Sequence, residues 1–228
     1  MQINWLGEFF VKFVQPHSYL WEELWSNATT MNAAKYIIVG AWVIYWLAFL
    51  LIKKSKGSFQ NIRQESVIDP KSKKPLIWLT ALHFALYSFL WQETGSLKDI
   101  PALSNSFYPA AFAIGIILLA GGVIFSIISR YYLGPSWSFL TITSVNRPFI
   151  KEGPYKFIRH PIYLGLFVIW LGVSLVFFNW IGLVSAFTVL LPLLYHRAKI
   201  EEENLINTFG IEYQNHISST GLMFPKIF

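Results

Sequence analysis

IYLGLFVIWLGVSLVFFNWIGLVSAFTVLLPLLY, residues 162–195, contains no charged side chain. A helix needs about 20 apolar residues, and no fewer than about 17, to cross about 30 Å of hydrocarbon. This stretch is too long for one crossing, and only Asn179 and its neighbours interrupt it. It predicts two helices, Ile162–Phe178 and Trp180–Tyr195, folded into a tight antiparallel hairpin. Both are short for a full crossing.

Working outward, three more segments have span character: Tyr36–Ile52, Pro75–Trp91 and Tyr108–Ser129. The composition agrees. The 228 residues are 54% hydrophobic, 18% aromatic and only 13% charged, against about 25% charged in a soluble domain. The ten Trp and eleven Tyr suit rings that favour the membrane–water interface. The expected fold is therefore all-α, a polytopic membrane protein with about five transmembrane helices in one membrane domain, 1–228. Within it, 1–35 is an interfacial N-terminal segment, 36–129 holds the first three spans, and 130–228 is the functional core.

Cytoplasmic loops collect Lys and Arg. Five spans put Lys53–Lys74, Arg130–Pro161 and the tail after His196 on one side, and these pieces hold 15 of the 18 basic residues. Only Lys12, Lys35 and Lys98 fall on the other. The N-terminus is thus expected outside and the C-terminus in the cytoplasm, in a bacterial inner membrane rather than the endoplasmic reticulum. The net charge of +6 is read as these loops facing anionic lipid rather than nucleic acid.

Residues 3–25 carry Trp5, Phe9, Phe10, Phe13, Tyr19, Trp21 and Trp25 around Pro16. They are too charged and broken to span, and they read as an amphipathic segment lying in the interface. The N-terminus lacks the basic region and cleavage site of a signal peptide. With no Cys, a thiol nucleophile, a disulfide and a thiolate metal site are excluded. His160 and His196 lack the neighbours that a metal site needs, so no metal is expected. There is no P-loop, dinucleotide-binding glycine motif or nucleophile elbow. His83 lies mid-span without an acidic partner and reads as a hydrogen-bonded core histidine. Ala111, Gly115 and Gly121-Gly122 permit close helix contact within the chain.

Two clusters flank the hairpin on the expected cytoplasmic face. The first runs Gly153-Pro154-Tyr155-Lys156-Phe157-Ile158-Arg159-His160-Pro161-Ile162-Tyr163-Leu164-Gly165. Pro161 suits the first turn of a helix, where a missing N–H costs nothing. Arg159 and His160 then stand at a helix N-terminus, whose free N–H groups favour a carboxylate. Gly165 leaves room for a neighbouring helix or a flat ligand ring. The second cluster is Arg197-Ala198-Lys199-Ile200-Glu201-Glu202-Glu203-Asn204-Leu205, then Phe209-Gly210-Ile211-Glu212-Tyr213. Arg197, Glu201 and Leu205 share one helix face, and Gly210 suits a helix stop. Each cluster alone also fits ordinary juxtamembrane chemistry: basic residues at a cytoplasmic helix end, and a solvated Arg197–Glu201 pair. The hairpin brings the two out of the membrane side by side, cations and aromatics facing carboxylates, as a polar pocket opening towards the bilayer.

The order Gly-x-Tyr, Arg-His-Pro-x-Tyr-x-Gly, helical hairpin, Arg, Glu-Glu-x-x-Leu and Phe-Gly-x-Glu-Tyr resembles the isoprenylcysteine carboxyl methyltransferase family. The resemblance covers roughly residues 130–225. It implies an enzyme that transfers methyl from S-adenosylmethionine to a lipidic or membrane-partitioned acceptor, a carboxylate or an amine, at the cytoplasmic face. Its implied cofactor residues are Pro148, Phe149, Ile150, Tyr155, His160, Pro161, Ile162, Tyr163, Glu201 and Leu205. Arg197 is implied to face the substrate, with Arg159 and Glu202 shaping the reaction centre. His216 stands where a second Tyr often follows in the family, and the animal enzymes' additional N-terminal spans have no counterpart here. Both departures count against a prenylated protein as acceptor, and the expected partner is a membrane lipid or a lipid-modified substrate. Sterol-type reductases that use NADPH carry a similar Arg-His-Pro-x-Tyr-x-Gly segment, and a non-enzymatic membrane scaffold is a third reading. The Glu201-Glu202 pair favours the methyltransferase.

Overall fold

The computed structural model describes residues 28–55, 67–68, 96–97, 101–134, 137, 142–143 and 149–226. The expected second span Pro75–Trp91 with His83, the N-terminal segment 3–25 and Pro148 lie outside the described residues. The elements are α1 (Ala28–Ser55), β1 (Val67–Ile68), α2 (Pro101–Leu133), β2 (Ile142–Thr143), a 3-10 turn (Gly153–Lys156), α3 (Pro161–Val176), α4 (Trp180–Ser185), a π-helical segment (Ala186–Leu190), α5 (Leu191–Phe209) and α6 (Ile211–Ser219). Among the described residues the fold is helical apart from a two-residue antiparallel pairing, Val67 with Thr143 and Ile68 with Ile142, and two isolated bridges, Ser96 with Asn179 and Ile158 with Gly221.

Among the described residues three stretches are long and apolar enough to cross a membrane: Ala34–Ile52, Phe107–Leu133 and Trp180–Phe209. Pro161–Val176 is a shorter apolar helix. This is an integral membrane protein. Ile44, Leu47, Leu50 and Leu51 on α1, and Ile114, Ile117 and Ile124 on α2, are exposed. In water such a band would be a liability, whereas in a bilayer it meets hydrocarbon.

α2 and α3 run antiparallel with their backbones in close approach, because glycines face each other at two levels. A Cβ added at Gly172 would sit 2.5 Å from Leu119 N and 2.8 Å from Gly115 O. One at Gly122 would sit 2.9 Å from Ile169 N and 3.0 Å from Gly165 O. Small residues allow such contact where water supplies no driving force between helices. The space beside Gly165 is filled by a helix neighbour, Ser126, whose Oγ lies 2.0 Å from the position a Cβ would take. Gly121 meets nothing within 4 Å, so only its neighbour serves the contact.

The expected hairpin is present. α3 ends at Val176, and Phe177-Phe178-Asn179 turns the chain, with Phe178 at φ 48°. Buried Asn179 caps α4 by accepting from Gly182 N at 2.9 Å, satisfying one of the first turn's free N–H groups. Trp170 Nε1 then bonds Gly182 O at 3.1 Å across the hairpin. The second arm continues out of the apolar run as one helix, as the Gly210 stop implied. Hydropathy falls at His196, but helix continues to Phe209, stopped by Gly210 at φ 57°, a conformation that glycine adopts without steric cost.

Candidate functional site

The two clusters meet. Pro161 is the first residue of α3, which leaves His160 at its N-cap with its ring stacked on Tyr163 at 5.4 Å and an interplanar angle of 4°. α5 presents Arg197, Glu201 and Leu205 at intervals of four. Tyr163 Oη donates to Glu201 Oε1 at 2.5 Å and accepts from Arg197 Nε at 2.6 Å. Arg197 Nε is also 3.3 Å from Glu201 Oε1, and His160 Nδ1 is 3.5 Å from Glu201 Oε2. Arg197 and His160 are 6% and 7% exposed. Exposed Glu203 takes no part.

Beside this network lies a second ion pair. Arg159 Nε donates to Glu202 Oε1, and the two side chains are 6% and 5% exposed. Arg159 Nη1 donates to Thr220 O, to Thr220 Oγ1 at 3.3 Å and to Ile217 O at 3.3 Å. Lys199 adds a contact to Glu202 Oε2 at 3.1 Å. With Arg159 Nη1 bonded to two carbonyls, the pair has the kind of added hydrogen bonding that lets a buried pair be tolerated. Arg159 and Glu202 therefore hold the chain around the site.

Tyr155 is buried in the 3-10 turn. Burial first, then the charge of Glu201, push its phenol up, while Arg130 pulls the other way. It stays neutral near pH 7. Gly153, at φ 56°, packs so tightly that a Cβ would meet the Tyr132 ring at 2.6 Å. Phe149 stacks on Phe209 at 5.2 Å and touches Tyr213 and His216 at 5.3 and 5.2 Å. Ile150 and Leu205 are half-buried and Ile162 is buried.

Sequence reasoning missed three features. Arg130 was placed in the cytoplasmic loop, but α2 runs to Leu133, so Arg130 is inside the helix and 0% exposed. Its Nη1 bonds Gly134 O at 2.5 Å, and its guanidinium lies over Trp137 at 4.8 Å and Phe49 at 5.9 Å. Among the described residues its Nε and Nη2 find no acceptor. The pairing of the C-terminal residues with Arg159 and the buried Tyr213–His216 face were likewise unseen. Only the Phe-Gly-x-Glu-Tyr element hinted at the last.

The unmatched buried atoms form a pattern. His160 Nε2 and two Arg130 nitrogens lack partners among the described residues, and Glu201 gathers the cations. A site so furnished fits a zwitterionic ligand with a carboxylate and a positive centre. Residues 113–207 match the isoprenylcysteine carboxyl methyltransferase family. That segment contains Arg130, the Arg-His-Pro-x-Tyr-x-Gly motif, the hairpin, Arg197 and Glu201 to Leu205. It stops before Phe209 and the C-terminal residues that bind Arg159.

The protein-S-isoprenylcysteine O-methyltransferase of Saccharomyces cerevisiae is 31% identical over 153 residues, 66% of this chain and 64% of the relative. That of Schizosaccharomyces pombe is 28% identical over 96 residues, 41% of each. The chain thus spans less than two thirds of the curated relatives it matches. A solved structure of the eukaryotic intramembrane Ras methyltransferase of this family covers 96% of this chain and 71% of its own, with a TM-score of 0.61 at 19% identity. It shares the fold. Both curated relatives are yeast proteins, which weighs against the expectation of a bacterial inner membrane.

Proposed function

We propose that the protein is a membrane methyltransferase that uses S-adenosylmethionine to methylate a lipid-borne carboxylate at the cytoplasmic face. The observation that carries the reading is the network Arg197–Tyr163–Glu201–His160, which joins both motif clusters in one buried site. When bound, the cofactor supplies an electrophilic methyl group on a sulfonium. Tyr155, His160, Pro161, Ile162, Tyr163, Glu201 and Leu205 are assigned to hold it, with Pro148, Phe149 and Ile150 from the segment before the turn. Glu201 offers the counter-charge to its positive centre, and Arg130 and His160 Nε2 offer donors to its carboxylate.

Displacement at a sulfonium demands alignment above all. A carboxylate acceptor needs no base, so Arg197 has only to orient it. Arg159 and Glu202 shape the reaction centre by fixing the backbone on either side of it. The curated relatives' names favour an S-isoprenylcysteine carboxylate over an amine as the acceptor class. We take residues 1–228 as one membrane unit with its cofactor core after residue 130, the N-terminus outside, and Lys53–Lys74 and the C-terminus cytoplasmic. The partition of basic residues supports that orientation.

Calorimetric titration of the purified protein with S-adenosylhomocysteine and, separately, NADPH tests the reading. S-adenosylhomocysteine should bind and NADPH should not. Glu201→Ala should weaken binding at least tenfold while Glu203→Ala leaves it unchanged. Binding of NADPH alone would point to the sterol-type reductase.

A further inference from the structure

After α6 the chain turns back across the start of α3. Arg159 N bonds Gly221 O at 2.9 Å, His160 N bonds Leu222 O at 2.9 Å, and Gly221 N bonds Phe157 O at 3.2 Å. Met223 is 2% exposed, and Phe224 meets Phe167 edge-on at 6.3 Å. Arg159 adds its side-chain bonds to Thr220 while its Nε holds Glu202. This strap therefore grips the residues next to both halves of the network: Arg159 beside His160, and Glu202 beside Glu201.

Gly221 makes the turn possible. A Cβ there would lie 1.7 Å from Phe224 O and 2.8 Å from its carbonyl carbon. These are backbone atoms, so any side chain at 221 forces the strap open. The 3-10 turn and these bonds fix the backbone on the N-terminal side of His160. The strap thus holds the backbone from which the His160 ring reaches Tyr163 and Glu201.

We propose that Thr220–Phe224 is a positioning element of the cofactor site, so that docking of the strap and binding of the cofactor are coupled. The inference rests on the methyltransferase reading above. Coupling of this kind is reciprocal: a docked strap raises cofactor affinity, and bound cofactor tightens the strap.

The test uses the full-length protein in detergent, with S-adenosylhomocysteine as probe and hydrogen exchange as readout. Saturation should slow exchange at the Gly221 amide at least several-fold. Gly221→Ala should weaken affinity tenfold or more, while Ile211→Ala on the exposed face of α6 leaves it unchanged. Unaltered Gly221 exchange at saturation, or full affinity in Gly221→Ala, overturns the inference alone. If Gly221→Ala fails to fold, the wild-type exchange result decides. A wild-type chain that takes up no S-adenosylhomocysteine overturns the methyltransferase reading, and this inference with it.

Discussion

Tyr163 Oη accepts a hydrogen bond from Arg197 Nε at 2.6 Å and passes its own proton towards Glu201 Oε1 at 2.5 Å. One phenol thus ties a guanidinium and a carboxylate that sit one turn apart on α5, and it does so from another helix. Hydrogen bonds to charged groups contribute about 1.5–3 kcal/mol each. Tyr163→Phe keeps the ring on His160 but removes the tie, leaving Arg197 with the longer 3.3 Å contact to Glu201. It should lower kcat/KM for the acceptor about 10- to 100-fold and change S-adenosylhomocysteine affinity less. Equal losses in both would show that the hydroxyl serves the cofactor instead.

Arg159 and Glu202 form a pair almost without water. Removing one partner of such a pair costs about 3–5 kcal/mol, whereas an apolar pair of similar size is often tolerated. Glu202→Ala should therefore destabilise the protein strongly in SDS titration from detergent micelles. Arg159→Met should sit at the lower end, because Lys199 stays 3.1 Å from Glu202. The double variant Arg159→Met with Glu202→Leu should recover part of the loss. Simple addition of the two single effects would mean that the groups do not act as a pair.

Much of this was legible in the sequence, and the limits have physical causes. The charge-free run 162–195 specified the hairpin, because hydrocarbon leaves helix as the way to satisfy its backbone. Gly210 marked the stop of α5, and Gly115 and Gly122 marked the α2–α3 contact. Hydropathy reports where an apolar run ends, not where helix hydrogen bonding ends. Arg130 was misplaced for the same reason: a cation after an apolar run looks like a loop residue. The strap has no periodic pattern, and bonds between Arg159 and residues about 60 positions later leave no local trace.

The α2–α3 contact separates glycines that matter from those that do not. A Cβ at Gly172 meets backbone at 2.5 Å, while one at Gly121 meets nothing. Overpacking of this kind costs about 1–3 kcal/mol. Gly172→Ala should lower the thermal midpoint in detergent by several degrees, and Gly121→Ala should leave it in place. A larger effect at Gly121 would mean that this face packs against something other than lipid.

His216 should make stability depend on pH. Burial first, then the charges of Arg159 and Lys151, hold its imidazole below the usual range, so it is neutral in the fold near pH 7. The unfolded chain takes up the proton near pH 6.5, before the folded chain does. Where the unfolded state binds more protons, stability falls as pH drops. The penalty therefore sets in below about pH 6.5 and levels off below the folded value. His216→Gln should reduce the fall in thermal midpoint between pH 7.5 and 5.5. Identical falls in both proteins would assign the pH dependence to other groups.

The most direct test of the account is transfer of labelled methyl from S-adenosylmethionine to S-alkylated cysteine acceptors in liposomes, comparing a farnesyl with a short alkyl chain. A lipid-borne acceptor reaching the site from the bilayer gains about 0.8 kcal/mol per buried CH₂. The account predicts base-labile methyl ester on the farnesyl acceptor, kcat/KM lower by several orders of magnitude for the short one, and loss of transfer in Glu201→Ala. Equal kcat/KM for both acceptors would contradict access from the membrane, and no transfer to either by protein that binds S-adenosylhomocysteine would contradict the proposed acceptor.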